Sequence, residues 1–212
     1  SLAGLAAMYC FFYALAHMRL AEAVLLNYSM PLFMPMIERF WLQEPIPPRL
    51  WRSLVLGFAG VLLILKPGPG LFQPVAVVGL SAAVFGALAQ VGVRRLTRTE
   101  PTTRIVFYFG AIATAVSAAP LPRVWTTPAP ALWLVLLAMG TLGTLGQLCL
   151  TRAYAQAPAA RVGPFIYAAV VFAALFDWAL WGKLPEPSSM AGAALVVAAG
   201  ALTLRLAGRR SG

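Results

Sequence analysis

The sequence predicts an all-α membrane protein of eight transmembrane helices, on three observations. Only 10% of its residues are charged against 61% hydrophobic, its apolar runs are long and unbroken, and its cations change sides from loop to loop. A water-soluble domain carries about 25% charged residues, so water is not this chain's solvent. The runs lack the alternation of a membrane barrel, and lipid offers no partner to an open sheet edge, so strands are excluded.

A helix needs about 20 apolar residues to span the hydrocarbon core, and tilt and snorkelling tolerate somewhat fewer. The expected spans are Leu2 to His17, Leu20 to Leu42, Leu50 to Leu65, Pro74 to Leu96, Thr103 to Leu121, Ala131 to Tyr154, Val162 to Trp181 and Met190 to Leu206. Brief connections such as Glu44-Pro45-Ile46-Pro47-Pro48 and Lys66-Pro67-Gly68-Pro69-Gly70 are turn chemistry, and no soluble domain is expected. Short cytoplasmic loops are rich in Arg and Lys. With the first residue inside, the inner segments hold Arg39, Arg49, Arg52, Arg94, Arg95, Arg98, Arg104, Arg152, Arg161, Arg205, Arg209 and Arg210, against Arg19, Lys66, Arg123 and Lys183 outside. Both termini are therefore expected in the cytoplasm. Trp41, Trp51, Trp125, Trp133, Trp178 and Trp181 all fall at span ends, where indole rings prefer the headgroup interface.

The +10 charge is scattered over short loops, which reads as orientation and contact with the lipid bilayer rather than nucleic-acid binding. One histidine, no His-Glu-x-x-His and no nucleophile beside a histidine leave metal-assisted or covalent catalysis without its parts. No enzyme activity, metal or cofactor is expected. Cys10 and Cys149 lie within spans as small packing residues. The chain opens with Ser1 and enters an apolar helix with no charged leader, which is not a signal-peptide layout and predicts a truncated or incomplete sequence.

Sliding the chain against itself by 139 positions brings Gly4 over Gly143, Cys10 over Cys149, Ala21 over Ala160, Tyr28 over Tyr167, Phe33 over Phe172, Glu38 over Asp177, Pro48 over Pro187 and Leu56 over Leu195. The first three spans thus match the last three with two spans between, an odd offset that makes the repeats opposite in orientation. Inverted repeats mark alternating-access transporters, whose site lies near the midplane between the halves. Two spans of the first repeat would then precede Ser1, and an uncovered cavity wall predicts poor stability or a homodimer.

The stretch Ala21-Glu22-Ala23-Val24-Leu25-Leu26-Asn27-Tyr28-Ser29-Met30-Pro31-Leu32-Phe33, then Trp41-Leu42-Gln43-Glu44-Pro45 and Gly57-Phe58-Ala59-Gly60-Val61, resembles an EamA-type repeat of the drug/metabolite transporter superfamily. Trp181-Gly182-Lys183-Leu184-Pro185 with Gly192-Ala193-Ala194-Leu195-Val196 resembles the end of a second copy, in which Lys183 stands where Glu44 stands in the first. The resemblance implies a ten-helix fold of two inverted five-helix repeats. Residues 1–66 would be the last three helices of the first repeat and 73–206 the second. It also implies a bacterial inner membrane and a small-molecule substrate, an amino-acid or nucleotide-like metabolite moved outward or exchanged. A channel or a structural membrane protein is the competing reading.

Polar residues at helical spacing inside a span face something other than lipid. Four such faces appear: Tyr9, Tyr13 and His17; Asn27, Pro31, Met34 and Glu38; Gly79, Ala83, Gly86 and Gln90; and Gly140, Thr144, Gln147, Thr151 and Tyr154. The expected substrate cavity draws on Tyr9, Tyr13, Asn27, Tyr28, Gln90, Thr144, Gln147 and Tyr167. The competing reading has these groups bond across helices, and Gly57, Gly60, Gly143, Gly192 and Gly200 serve close helix packing. Pro31, Pro35 and Pro164 would each free a backbone carbonyl, as gates or as static kinks. Glu38 and Asp177 lie near span ends and read as interfacial charges. Without a buried acid in the fourth span, proton coupling is unsupported.

Overall fold

A computed structural model describes residues 2–44, 47–120, 122, 125–182 and 186–208. Their regular elements are helices: α1 Leu2–His17, α2 Leu20–Asn27, α3 Met30–Trp41, α4 Pro48–Leu65, a 3₁₀ turn at Pro69–Phe72, α5 Val75–Leu96, α6 Thr102–Ala118, α7 Pro130–Gln156, α8 Ala159–Ile166, α9 Ala168–Trp181 and α10 Pro187–Gly208. Among the described residues, six segments are long and apolar enough to cross a bilayer: Leu20–Trp41, Pro48–Leu65, Val75–Leu96, Pro130–Gln156, Ala159–Leu180 and Pro187–Arg205. The helices Leu2–His17 and Thr102–Ala118 are apolar but shorter. The expected end of the fifth span at Leu121 and the Lys183-Leu184-Pro185 connection lie outside the described residues.

Two of the crossings are broken. Leu20–Trp41 divides into α2 and α3 at Tyr28 and Ser29, where Ser29 Oγ donates to Leu26 O at 2.6 Å. Ala159–Leu180 divides into α8 and α9 at Tyr167, which ends one helix and starts the next. These positions are 139 apart. The prolines stand beside the breaks rather than at them. Pro31 falls in the first turn of α3, where a helix N–H has no intrahelical acceptor, so its missing donor costs nothing there. The lost hydrogen bond expected from Pro31 is thereby corrected, whereas Pro35 and Pro164 lie inside α3 and α8.

Helix ends follow local chemistry. Pro48 and Pro130 open α4 and α7 at positions suited to a fixed φ and a missing donor. Gly182 closes α9 with φ +67°, a left-handed conformation that costs glycine nothing. Lys66 closes α4 in the same region at φ 44°, and its ammonium pairs with Glu186 just before α10.

The chain forms two compact units. One runs from Gly92 to Ala157 and packs α6 on α7. There Arg94 Nη1 donates to the carbonyls of Tyr154 at 2.8 Å and Ala155 at 3.1 Å, closing the C-terminal end of α7. From Pro130 to Gly146 every residue of α7 is exposed.

The other unit joins Leu2–Val91 to the residues from Pro158 onward, and its most extensive helix pair is α4 with α10. Lipid tails are as apolar as leucine, so helices associate in a bilayer through close packing and buried polar contacts. Both occur here. A Cβ on Gly60 would lie 2.6 Å from Gly192 O, so the two backbones touch. Ser53 Oγ, fully buried, donates to Ala199 O and shares a hydrogen bond with the Thr203 hydroxyl. Adding 139 to Ser53 and Gly60 reaches Gly192 and Ala199, so the Ser53–Ala199 and Gly60–Gly192 contacts exchange under the same shift that aligns the sequence.

Candidate functional site

The two helix breaks meet. Tyr28 and Tyr167, one at each break, have ring centroids 6.5 Å apart, and Phe58 of α4 lies 6.5 Å from Tyr167 on another side. Tyr167 is fully buried with Leu25, Val61, Val170 and Val196 around it. Among the described residues its hydroxyl has no hydrogen-bond partner, although a buried phenol ordinarily finds one. Gly57 makes room for the ring, because a Cβ there would overlap it. An aromatic pair thus joins the two interrupted helices.

The other expected residues are placed as follows. Asn27 ends α2 beside Tyr28 and is half-buried, as is Gln90 on α5. Tyr9 and Tyr13 on α1 are exposed, and Tyr13 stacks on His17 at 4.2 Å. Thr144 and Gln147 belong to the other unit. Thr144 is exposed and returns its hydroxyl to Gly140 O at 2.8 Å, while Gln147 is half-buried. Pro31, Pro35 and Pro164 are all fully buried, and Pro31 packs on Gly163, where a Cβ would sit 3.1 Å from the proline ring.

The reading of Glu38 as an interfacial charge is overturned. Glu38 is fully buried, and its two carboxylate oxygens accept the backbone N–H groups of Ala159 at 2.7 Å and Ala160 at 2.9 Å. Those amides open α8, where N–H groups have no intrahelical acceptor and the helix dipole favours an anion. The carboxylate therefore caps a helix that begins 121 residues further along the chain. Its place at i+7 from Pro31 was visible in the sequence, but nothing local names a partner so distant. Glu22 is a second buried acid that sequence reasoning passed over. It is 1% exposed, accepts the Gly68 N–H at 3.1 Å and lies 3.8 Å from the Arg19 guanidinium. Among the described residues no group of three His, Cys, Asp or Glu side chains could hold a metal ion.

Interrupted apolar helices that bring buried polar and aromatic groups together define a multi-pass helical membrane protein. Comparison with known proteins narrows this. The chain belongs to the EamA-like transporter family, which it matches over residues 1–66 and 73–205. It is 38% identical over 195 residues to the pseudopaline exporter CntI of Pseudomonas aeruginosa strain UCBPP-PA14, covering 90% of this chain and 68% of that protein. It is also 25% identical over 187 residues to the S-adenosylmethionine uptake transporter of Rickettsia bellii, across 88% of this chain and 64% of that one. The riboflavin transporter of Vibrio cholerae serotype O1 is 29% identical over 178 residues, 83% and 59% of the two chains. The chain thus spans less than two thirds of the length of the last two relatives. A crystal structure at 25% identity superposes with a TM-score of 0.84 over 96% of this chain and 73% of that one. The family is one of transporters, not enzymes, and the relatives are named for small metabolites.

Proposed function

We propose that this chain is a secondary carrier that exports or exchanges a small amino-acid-like or nucleotide-like metabolite by alternating access. Its two inverted repeats, 1–66 and 73–206 within a ten-helix architecture, rock about a midplane site. The observation that carries this is the meeting of Tyr28 and Tyr167 at two helix breaks 139 residues apart, because carriers built of inverted repeats bind substrate at discontinuous helices between the halves. Tyr28, Tyr167 and Asn27 form the centre of the cavity. Gln90, Gln147, Thr144, Tyr9 and Tyr13 are further candidates for substrate contact. Pro31, Pro35 and Pro164, buried beside the breaks, are the gating positions. Both termini of the chain face the cytoplasm of a bacterial inner membrane, as the alternation of arginines favours.

The 38% identity to a protein named as an exporter favours outward movement, and the spread of the relatives' names favours metabolites with polar and planar parts. The test is counterflow in proteoliposomes loaded with unlabelled amino acids, S-adenosylmethionine or riboflavin and supplied with the matching labelled compound outside. Saturable accumulation of label supports a carrier. Flux that never saturates, or no flux for any compound, supports the competing reading of a channel or a structural membrane protein.

A further inference from the structure

The unit formed by α1–α5 and α8–α10 is not symmetric where the sequence shift says it should be. Under a shift of 139, Glu38 becomes Asp177, and Ala159 and Ala160 are reached from Leu20 and Ala21. Glu38 caps Ala159 and Ala160 and is fully buried. Asp177 is exposed, and among the described residues it makes no cap on α2, whose own N-cap residue Arg19 supplies none either. The packing differs in the same sense. α3 lies against α8, with Gly163 admitting Pro31 and Met34, whereas no comparable packing joins α2 to α9 among the described residues. One of two equivalent helix contacts is made and the other is open.

We propose that Glu38 and Asp177 are alternating latches: in the state seen here Glu38 holds the N-terminus of α8, and in the opposite state Asp177 holds the N-terminus of α2 while Glu38 lets go. This rests on the reading of the chain as two oppositely inserted repeats and names the contacts that lock each state. Such a latch suits its setting. A buried carboxylate is costly in lipid unless its oxygens are satisfied, and two helix N–H groups aligned with the dipole go toward satisfying them. The capped state is thereby favoured only while α3 and α8 touch, so closing becomes cooperative with capping. At the other end Arg19, the N-cap residue of α2, is 66% exposed and lies 3.8 Å from Glu22, so an arriving Asp177 carboxylate would meet a cation beside the first amides of that helix. Inverted repeats supply the second latch at no cost in new geometry, since exchanging the conformations of the halves exchanges the two acids.

Leu50 packs against Leu54 and Ala160 beside the Glu38 latch and is 5% exposed, so a cysteine there reports opening of this end. The measurement uses the full chain with Cys10 and Cys149 replaced by Ala, Leu50→Cys as reporter, and a membrane-impermeant maleimide as probe. The maleimide is added to whichever face of membrane vesicles labels a separate Arg49→Cys control. Labelling rate follows the population of the open state, and a coupling of ordinary size moves such a population about tenfold. Glu38→Gln is expected to raise the rate about tenfold, Asp177→Asn to lower it by a similar factor, and the double variant to return near the parent. The protection from Asp177→Asn cannot arise from unfolding, which only exposes. If Asp177→Asn leaves the rate unchanged or raises it, or a folded Glu38→Gln fails to raise it, the latch is overturned. No substrate enters this measurement, so silent counterflow with shifted labelling sinks the carrier reading alone, and working counterflow with unshifted labelling sinks the latch alone.

Discussion

Gly60 of α4 and Gly192 of α10 touch through their backbones: a Cβ on Gly192 would stand 2.5 Å from Gly60 O, and one on Gly60 2.6 Å from Gly192 O. Neither obstacle is the flexible end of a side chain, so added volume has to push the helices apart. Gly60→Ala or Gly192→Ala is expected to lower stability by about 1 to 3 kcal/mol, as overpacking does. Thermal unfolding in detergent, followed by thiol labelling or tryptophan fluorescence, measures the loss. An unchanged midpoint for both variants would contradict the close crossing.

Gly143 is the counter-case. The sequence groups it with Gly60 and Gly192 as a packing glycine, yet among the described residues a Cβ there meets nothing within 4 Å. With no neighbour to displace, only helix propensity remains, which favours alanine over glycine by up to about 1 kcal/mol. Gly143→Ala is expected to raise the unfolding midpoint slightly. A fall would show that this stretch of α7 has a partner in the bilayer.

How far the sequence carried this picture depends on the reach of each interaction. The apolar helices rest on composition, which a single segment displays by itself. The equivalence of Tyr28 with Tyr167 was legible because both positions recur at one offset. The break at Ser29 was not, since Pro31, two residues on, carried the stronger local signal. Glu38 was misread for a plainer reason: Arg39 beside it suggests an interface, while the amides that hold it belong to Ala159 and Ala160. Nothing in α3 specifies that α8 arrives there. Ser53 and Thr203 escaped notice likewise, as single hydroxyls in apolar helices whose partnership exists only once α4 crosses α10.

That hydroxyl pair predicts a coupled loss. Ser53 and Thr203 both lie within hydrogen-bond distance of Ala199 O and of each other, so their two hydroxyl protons are shared among three buried contacts. Hydrogen bonds between membrane helices contribute on average about 0.6 kcal/mol and at most about 1.7. Ser53→Ala and Thr203→Val should each cost within that range, and the double variant less than the sum, because each single change already removes the shared bond. A double-mutant cycle read by denaturant unfolding tests this, and strict additivity would dissolve the pair.

Arg94 predicts a local effect. Its guanidinium closes the last turn of α7 through the carbonyls of Tyr154 and Ala155, where a cation also suits the helix dipole. Arg94→Ala should cost about 1 kcal/mol and free that turn first. Amide hydrogen exchange across residues 153–157 is expected to quicken while α4 and α10 keep their protection. Uniform quickening throughout the chain would instead mean that Arg94 supports the whole fold.

Tyr167 separates packing from transport. Its ring fills the space that Gly57 leaves, among Leu25, Val61 and Val196, but its hydroxyl is buried without a partner. A buried polar group left unbonded destabilises, so removing only the oxygen should leave stability unchanged or raise it by about 1 kcal/mol. If that oxygen instead awaits a polar group of the substrate, Tyr167→Phe slows counterflow even though the protein is no less stable. The same change at Tyr28, its partner under the repeat, should act in the same direction. An undiminished rate in Tyr167→Phe together with a raised unfolding midpoint would assign the ring to the core alone, and would move the search for the bound metabolite to Asn27 and Gln90.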